Sequence, residues 1–507
     1  MASLPGIETP TRPSGHLPSL SRTWPAWLAS AAASESGQLL AVVALYSFVA
    51  VLFIHRFYIV DPDIWFHLRS GDWVLAHRAV PVTDPFSSYG AGKPWMVYSW
   101  LYDALNALAF SRLGFVSIAF YEIAARVALS VAFFHLVQRR LGGFWRALAL
   151  SGLALYAMTE VVGPRPGMLT VLFVIIEFDI LLSARRTGNT KSLWLLPPMF
   201  ALWANWHIQF VYGLFVLGVF ACEPWIEAVF RYESPDGSRL PQKQLWFAVA
   251  ASGLATLVNP YGPKVYSIVF DYMHQSVAYD AISELRAMTF RDPRDFIVVL
   301  IVAGASMALG WRRDAKPLWI ILLTVTSLMA FRSVREIWFV LIVAACVISD
   351  GWAHAPSPKP VAPRMRLATV VCVLAVLFVS CRHYGLSNNF LDLEVSGAFP
   401  EGAARYVEQH HLPGPLLNDL SWGGFLIWRL PQLPVAIDGR MNVHGDARIQ
   451  EFADLWTGKP GWASDPELIR ANLVITPRVS AIASLLRTDL RFKPVYEDSQ
   501  AVVFQRQ

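Results

Sequence analysis

Long apolar stretches separated by short basic connections run through most of this chain. A helix that spans a membrane needs about 20 mainly apolar residues, and several stretches are shorter, so their number depends on where each one ends. The pattern predicts an all-α polytopic membrane bundle of about eleven transmembrane helices within residues 38–381. The stretches are 38–57, 114–137, 147–162, 168–184, 193–207, 209–229, 245–258, 296–311, 318–331, 337–350 and 367–381.

Composition and charge support this interpretation. Hydrophobic residues make up 55% of the 507 residues and charged residues 16%, whereas soluble domains carry about 25% charged residues. Alternate connections hold clusters of arginine and lysine, as the positive-inside rule requires of cytoplasmic loops. The N-terminus is therefore predicted to be cytoplasmic and the C-terminal region extracytoplasmic. The net charge of +5 follows from this topology, so no nucleic-acid binding is expected. The clusters are Arg139, Arg140 and Arg146; Arg185, Arg186 and Lys191; Arg231, Arg239 and Lys243; Arg312, Arg313 and Lys316; and Lys359, Arg364 and Arg366.

Four regions outside the apolar stretches complete the predicted organisation. Residues 1–37, rich in Pro, Ser and Ala, are predicted to be a disordered cytoplasmic tail. The outer loop 58–113 has apolar residues at helical spacing followed by Trp and Tyr, which predicts two helices on the membrane surface. A second outer loop, 259–295, mixes aromatic and charged residues. Residues 382–507 are predicted to be an extracytoplasmic α/β domain, with strands at 434–437 and 472–475, a helix at 481–487 and a hairpin over 495–505.

Two carboxylates, Asp61 and Asp63, bracket Pro62 directly after the first apolar stretch. One interpretation is structural: Asp61 caps a helix, Pro62 takes its first position and Asp63 favours the positive end of the helix dipole. The other is catalytic, because Asp63 and His67 are four residues apart on one helical face. Two acids and an imidazole can deprotonate a hydroxyl or bind a divalent cation. The sequence leaves both interpretations open.

Charged and polar groups near the outer membrane boundary form a second candidate site. Such groups are costly at membrane depth, so they pair locally or line a polar cavity. Arginines in an outer cavity suit an anionic lipid that carries a phosphate, whereas pairs such as Glu160 with Arg165 or Arg335 with Glu336 are the structural alternative. Arg332 and Arg335 are three residues apart, so on one helical turn they are expected to point the same way and to hold one phosphate group together. The candidates for substrate binding are Arg165, His207, Lys264, Glu284, Arg332 and Arg335.

A third candidate is Asp438-Gly439-Arg440, which follows a predicted strand of the C-terminal domain. Side chains at strand ends often contact ligands, so Asp438 and Arg440 are further candidates for substrate binding. The structural alternative is a turn in which Gly439 supplies unusual backbone angles and Asp438 pairs with Arg440.

Several motifs of other enzyme classes are missing from the sequence. It contains no Walker A loop, no Gly-x-Gly-x-x-Gly after a strand, no His-Glu-x-x-His and no Gly-x-Ser-x-Gly. Nucleotide-driven transport and the usual metalloprotease and serine-hydrolase chemistries therefore lack support. Internal repeats, which many transporters have, are not evident either.

Taken together, five motifs resemble those of the GT-C class of multi-pass membrane glycosyltransferases, and more closely an uncharacterised bacterial branch of such proteins. The class includes protein mannosyltransferases and oligosaccharyltransferase catalytic subunits. These motifs cover most of the chain after residue 38. They are Asp61-Pro62-Asp63-Ile64-Trp65-Phe66-His67-Leu68-Arg69-Ser70-Gly71 with Thr83-Asp84-Pro85-Phe86-Ser87, Leu202-Trp203-Ala204-Asn205-Trp206-His207, Asn259-Pro260-Tyr261-Gly262, Trp422-Gly423-Gly424-Phe425-Leu426, and Ile437-Asp438-Gly439-Arg440.

The resemblance implies a glycosyltransferase that moves a sugar from a polyprenyl-phosphate donor to an extracytoplasmic glycan, lipid or protein. It implies a location in the bacterial cytoplasmic (inner) membrane, with the lipid bilayer as a constant partner. The essential acid in the first outer loop of the class corresponds here to Asp61 or Asp63. Metal dependence varies across the class, so a divalent cofactor stays open. The alternatives are a transporter or lipid-carrier flippase, and a non-catalytic scaffold.

Overall fold

The computed structural model describes residues 35–57, 61–159, 163–234, 239–274, 277, 282–311, 315–350 and 363–507. Most of the predicted tail 1–37 lies outside these ranges, and so does Glu160 of the alternative pair with Arg165. Within the described residues the protein is mainly helical and carries a small sheet near its C-terminus.

Each of the eleven apolar stretches contains a helix. Glycine and basic residues end several of them as expected: Gly188, with φ +68°, follows the last turn of the helix Gly167–Thr187, where Arg185 and Arg186 face its negative dipole end. In order along the chain, the helices of the apolar stretches are Glu35–Phe57, Phe115–Leu141, Phe144–Ala157, Gly167–Thr187, Leu196–Trp206, Phe210–Ala221 with Glu223–Val229, Gln242–Ala255, Pro293–Trp311, Pro317–Arg332, Ile337–Asp350 and Pro363–His383.

Fewer of these helices are long enough to cross a membrane by themselves. Among the described residues three qualify by length and apolar composition: Phe115–Leu141, Gly167–Thr187 and Pro293–Trp311. A fourth is added if the pair on either side of Cys222 is one broken span. A helix of 14 residues is about 21 Å long, less than the roughly 30 Å of hydrocarbon in a bilayer. A mainly helical, apolar architecture is thus confirmed, and the number eleven stays a prediction.

Proline explains the irregular stretches. The segment predicted as 209–229 bends by 58° where Phe210–Ala221 meets the next helix. Pro224 lies in the first turn of that second helix, where its missing N–H and its ring prevent the first helix from continuing. The stretch 193–207 likewise divides into a 3₁₀ helix, Thr190–Leu195, and the helix Leu196–Trp206, whose second and third residues are prolines.

The first outer loop contains the two predicted helices, Ile64–His77 and Trp100–Leu113. They pack against each other at Gly71, which has no room for a Cβ atom beside the main-chain carbonyl of Asp103. The sequence reasoning placed these helices on the membrane surface, and that location stays a prediction. Their close packing fixes the position of His67 relative to Asp103.

The C-terminal region is an α/β domain, as predicted. Its sheet has the strand order β1 (Leu416–Asn418), β2 (Leu473–Pro477), β4 (Ala501–Arg506) and β3 (Phe492–Glu497). The first pair is parallel and the other two are antiparallel. The remaining helices of this region are Asn388–Ala398, Glu401–Gln409, Gly423–Arg429, Met441–Trp456, Pro466–Arg470 and Ala481–Leu486; Val265–His274 lies in the second outer loop.

The strand predicted at 434–437 is wrong. Val435 forms one isolated bridge with Ser87 of the first outer loop. The neighbouring main-chain groups bind a side chain instead of a strand: Ala436 N–H donates to Asn418 Oδ1, and Asn418 Nδ2 donates to the carbonyl of Ile437. An apolar run of four residues is buried here because the outer loop and the domain pack together, and no ladder is required.

Candidate functional site

Arg165 gathers three carboxylates at the point where the first and second outer loops meet. Its Nε lies 2.6 Å from Asp61 Oδ2, and its Nη1 lies 2.6 Å from Glu284 Oε1 and 3.3 Å from Asp63 Oδ2. The planar guanidinium can serve several acceptors at once because its donors form a fixed fork. We call Asp61, Asp63, Arg165 and Glu284 the carboxylate cluster.

Both carboxylate oxygens of Asp61 accept hydrogen bonds. Oδ1 accepts the main-chain N–H of Asp63 at 2.9 Å, and Oδ2 receives Arg165. The helix begins at Ile64, so Pro62 lies in the preceding turn and not at the first helical position. Asp61 thus stabilises the local turn through one oxygen and binds Arg165 through the other. It therefore has a structural role and also belongs to the carboxylate cluster.

Asp63 is the carboxylate of the cluster that Arg165 holds least closely. Its side chain is 24% exposed, and Arg165 approaches it at 3.3 Å, farther than it approaches Asp61 or Glu284. Burial raises the pKa of Asp63 to about 6; Arg165 opposes this shift, and the charges of Asp61 and Glu284 add to it. A base with a pKa near the working pH is well suited to proton transfer.

The C-terminal domain closes one side of this site. A Cβ atom on Gly439 would lie 2.5 Å from Asp63 Oδ1, and one on Gly424 would lie 2.6 Å from the carbonyl of Pro62. The structural alternative for this motif was a turn in which Gly439 supplies unusual backbone angles. Positive φ angles occur at other described glycines and not at Gly439, so what this position requires is the absence of a side chain.

His67 is paired with a residue that the sequence reasoning overlooked. Its Nδ1 lies 2.8 Å from Asp103 Oδ1, which also accepts a hydrogen bond from the Ser99 hydroxyl at 3.1 Å. Burial raises the pKa of Asp103, although His67 lowers it. The buried carboxyl group holds the imidazole in one orientation, and His67 is also within electrostatic range of Asp63.

Arg335 lies next to the carboxylate cluster. Its Nη1 is 3.9 Å from Glu284 Oε1, and its side chain is 36% exposed. Arg332, by contrast, is the last residue of the helix Pro317–Arg332, and the extended residue Ser333 separates it from the 3₁₀ helix that carries Arg335. The expectation that the two arginines point the same way because they are three apart on one helical turn is therefore wrong. Arg332 is exposed at this helix end.

His207 and Lys264 occupy different surroundings. His207 is buried, its Nδ1 lies 2.8 Å from the Thr170 hydroxyl, and it is within electrostatic range of Arg335 and His67. Lys264 is exposed at the end of the 3₁₀ helix Gly262–Lys264. The structure thus brings His207 towards the cluster and leaves Lys264 at the surface of the second outer loop.

Asp438 and Arg440 form a buried network with Asp84. Arg440 donates from Nε and Nη2 to the two oxygens of Asp438, at 2.8 and 2.7 Å, and from Nη1 to Asp84 Oδ1 at 2.6 Å. All three side chains are at most 2% exposed. The opposing charge of Arg440 keeps the pKa of Asp438 below its usual range despite burial. This is the ion pair of the structural alternative, extended to the first outer loop.

Residues of the other sequence motifs connect the first outer loop to its neighbours. Tyr261 accepts the N–H of Val97 at 2.9 Å and donates to the carbonyl of Pro81 at 3.1 Å, and Trp100 donates to Asn205 at 2.8 Å. The motifs therefore attach the second outer loop and a helix end to the first outer loop.

Asp103 is the one acidic residue near the start of an otherwise mainly apolar helix, a signal that the sequence does contain. No spacing rule links it to His67, however, because the two residues lie on different helices.

The described residues do not offer a ready metal site. No group of three or more His, Cys, Asp or Glu among them has a geometry that could hold a metal ion. The three carboxylates of the cluster surround Arg165, so the guanidinium lies where a cation would have to bind.

Comparison with known proteins finds similarity at the level of the fold. Neither a protein-family model nor a curated protein sequence matches the chain. The oligosaccharyltransferase of Archaeoglobus fulgidus, tethered with an acceptor peptide containing the NVT sequon, is similar with a TM-score of 0.53 at 10% identity, over 95% of this chain and 74% of that one. Archaeal oligosaccharyltransferase AglB from the same organism, in complex with an inhibitory peptide and a dolichol-phosphate, gives 0.50 at 10% identity, over 89% and 69%.

ArnT from Cupriavidus metallidurans, bound to undecaprenyl phosphate, gives a TM-score of 0.46 at 14% identity, over 92% of this chain and 97% of that one. The oligosaccharyltransferase comparisons show that this chain has a GT-C-like fold. At such identity they say nothing about its substrates.

Proposed function

We propose that this protein is a membrane glycosyltransferase that moves a sugar from a polyprenyl-phosphate donor to an acceptor outside the cytoplasm. The observation that carries the proposal is the carboxylate cluster. It holds a carboxylate with a pKa near 6 beside two arginines, at the junction of both outer loops and the C-terminal domain. The GT-C-like fold supports it, since one similar oligosaccharyltransferase structure contains a dolichol-phosphate.

In this proposal Asp63 is the general base. Its carboxylate takes the proton from the acceptor hydroxyl, and the acceptor oxygen then bonds to the anomeric carbon of the donor sugar. The bond between that carbon and the phosphate oxygen breaks, and the polyprenyl phosphate leaves with the bonding electrons. Because a phosphate is already a good leaving group, the enzyme has to supply positioning, one base and charge stabilisation.

Arg165 and Arg335 are assigned different tasks. Arg165 is largely committed to Asp61 and Glu284, so it positions Asp63 and limits the rise of its pKa. Arg335 is more exposed and 3.9 Å from its nearest carboxylate, which leaves its donors accessible to the departing phosphate. Arg332 at the neighbouring helix end is a second phosphate contact in the proposal.

His67 and His207 are the two histidines near the proposed base, Asp63. Asp103 holds His67 in place, and Thr170 holds His207. We assign them to positioning the acceptor, and Lys264 and Glu284 to the edge of the donor site. Asp438 and Arg440 are left out of the proposed site, because their charges are satisfied within a buried network.

The test uses purified full-length protein in detergent and a panel of polyprenyl-phosphate-linked sugars, with the release of polyprenyl phosphate as the measurement. The Asp63 side chain makes no capping hydrogen bond to the helix, and asparagine keeps its size without its charge, so Asp63→Asn isolates the loss of the base. It is expected to fold and to lose about 10²–10⁴-fold of activity. Asp61→Asn, two residues away, is the matched variant that makes the same chemical change at the other carboxylate. Undiminished activity in both variants would remove the carboxylates from the mechanism.

A further inference from the structure

A cavity of about 280 Å³ lies between the helix Ile64–His77 and the C-terminal domain, apart from the carboxylate cluster. One wall comes from the helix, another from Pro85 and Phe86 of the first outer loop, and the third from the C-terminal domain. The domain residues in that wall are Ile427, Pro431, Leu433 and Pro434. Apolar residues outnumber charged ones in the lining, while polar atoms contribute slightly more than half of its exposed surface, so the cavity offers both apolar contacts and groups that can bind a charge.

The polar groups come from one stripe of the helix. Arg69, Trp73 and His77 line the cavity at intervals of four residues, which places them on one helical face. Arg69 has a feature that calls for a ligand: its Nε is buried without a hydrogen-bond partner. Asp72 interacts electrostatically with Arg69 but forms no hydrogen bond with that Nε. An unsatisfied buried donor is costly, which shows that the Arg69 guanidinium is not fully paired within the described residues. Arg69 also lines the cavity, so an oxyanion bound there can be held by this guanidinium.

Trp73 and His77 form the aromatic part of the stripe, and together they present flat rings. The rings of Trp73 and His77 are stacked at 4.0 Å with an angle of 14°. His77 Nδ1 donates to the carbonyl of Trp73 at 2.9 Å, because a carbonyl oxygen can only accept. Nε2 is then left to interact with a ligand. Flat apolar rings beside a cation suit a ligand with an apolar ring face and a negative charge.

We propose that this cavity binds an acidic sugar, a pyranose that carries a carboxylate or phosphate group, as part of the acceptor. The negative group binds Arg69, and the C–H face of the sugar ring packs on the Trp73–His77 stack. The proposal rests on the proposed function, since it makes the cavity an acceptor subsite. Arg69 is six residues after Asp63, about 9 Å along the helix axis and on a different face of it. The acidic sugar at Arg69 is therefore an outlying unit of the glycan, and a different unit carries the hydroxyl that is presented to Asp63.

Binding is measured by isothermal titration calorimetry on the purified full chain in detergent, without any donor. The probes are trigalacturonic acid, its neutral counterpart galactotriose, and triglutamate as an acidic peptide. Wild-type protein is expected to bind trigalacturonic acid at least about tenfold more tightly than galactotriose. Equal binding of both sugars, or tighter binding of triglutamate, would overturn the proposal.

Variants then locate the site. Arg69→Gln is expected to lower affinity for trigalacturonic acid by about tenfold to hundredfold, whereas Arg112→Gln, an exposed arginine on the next helix, leaves it unchanged. Because Arg69 is partly buried, His77→Ala provides an exposed second variant, expected to weaken binding of both trisaccharides by several-fold. Unchanged affinity in folded Arg69→Gln or His77→Ala protein would contradict the assignment.

The two proposals fail separately. Loss of sugar binding in the Arg69 variant with normal donor consumption by wild-type protein would support both. Sugar binding without any effect of Asp63→Asn on donor consumption would keep the cavity and reject the catalytic role of Asp63. Donor consumption that depends on Asp63 without any acidic-sugar binding would do the reverse.

Discussion

Gly439 lies so close to Asp63 that a Cβ atom on residue 439 would stand 2.5 Å from Asp63 Oδ1. The two residues are at opposite ends of the sequence, one beside the first apolar stretch and the other in the C-terminal domain. This contact makes the domain a wall of the proposed active site. It also means that the position of the proposed base depends on how the domain docks on the first outer loop.

Adding one methyl group at this contact is the first test. Gly439→Ala is expected to push the Asp63 carboxylate aside and to reduce transfer by about 10²-fold, because a displacement of about 1 Å can cost that much. Gly397→Ala is the matched control, since a Cβ atom there meets open space. Activity of Gly439→Ala equal to that of the control would show that the Asp63 carboxylate need not be held in place.

The pH dependence of transfer is the second test. Asp63 has to be ionised to accept a proton, and its pKa is raised to about 6, so activity is expected to be full above that pH and to fall as the pH decreases through it. Removing the neighbouring charges shifts this midpoint in opposite directions. Arg165→Gln raises it, because Arg165 lowers the pKa, and Glu284→Gln lowers it, because Glu284 raises the pKa.

The control for these profiles is Asp454→Asn, which removes an exposed carboxylate paired with Lys459 and is expected to leave the midpoint in place. Shifts of Arg165→Gln and Glu284→Gln in the same direction would show that a group other than Asp63 sets the profile.

Donor recognition is the third test. Lysine keeps the charge of arginine but loses its planar fork, so Arg335→Lys is expected to weaken binding of a polyprenyl phosphate by about tenfold with little change in melting temperature. Arg332→Lys is compared with it, because the break at Ser333 places the two arginines on different elements. A loss of thermal stability with unchanged lipid affinity would assign these arginines to the structure of the bundle.

The buried network of the C-terminal domain is the fourth test. Arg440→Gln leaves the carboxylates of Asp84 and Asp438 buried without their cation, which is expected to cost about 3–5 kcal/mol in the free energy of unfolding. Arg405→Gln breaks an ion pair whose arginine is 59% exposed, and its expected cost is about 0–1 kcal/mol. Equal melting temperatures in the two variants would mean that the buried network contributes nothing special to stability.

Orientation in the membrane is the fifth test. Basic connections on one side and the predicted odd number of spans lead us to expect the C-terminal domain outside the cytoplasm. Alkaline phosphatase fused to the C-terminus is therefore expected to be active in a bacterial host. An inactive fusion, together with an active cytoplasmic reporter at the same position, would reverse the topology and place the carboxylate cluster on the cytoplasmic side.

Local patterns predicted the elements better than their ends and joints. Apolar stretches gave helices at all eleven places, because burial of a helical segment depends on residues that are near one another in sequence. The strand at 434–437 failed, since a short apolar run is equally compatible with a buried loop, and Asn418 and the first outer loop bury this one. The common direction assumed for Arg332 and Arg335 failed because the spacing rule holds only inside one helix, and Ser333 ends it.

The sequence by itself determined the helical, apolar character of the chain, the α/β nature of its C-terminal region, and the candidate status of Asp61, Asp63 and Arg165. These depend on composition, periodicity and the cost of charges at membrane depth. Only the tertiary structure decided that Arg165 joins Asp61 to Glu284, that Asp103 holds His67, and that Arg440 is satisfied by Asp84. Each of these contacts joins segments far apart in the chain, and the packing of one element on another sets their distances, which no local pattern records.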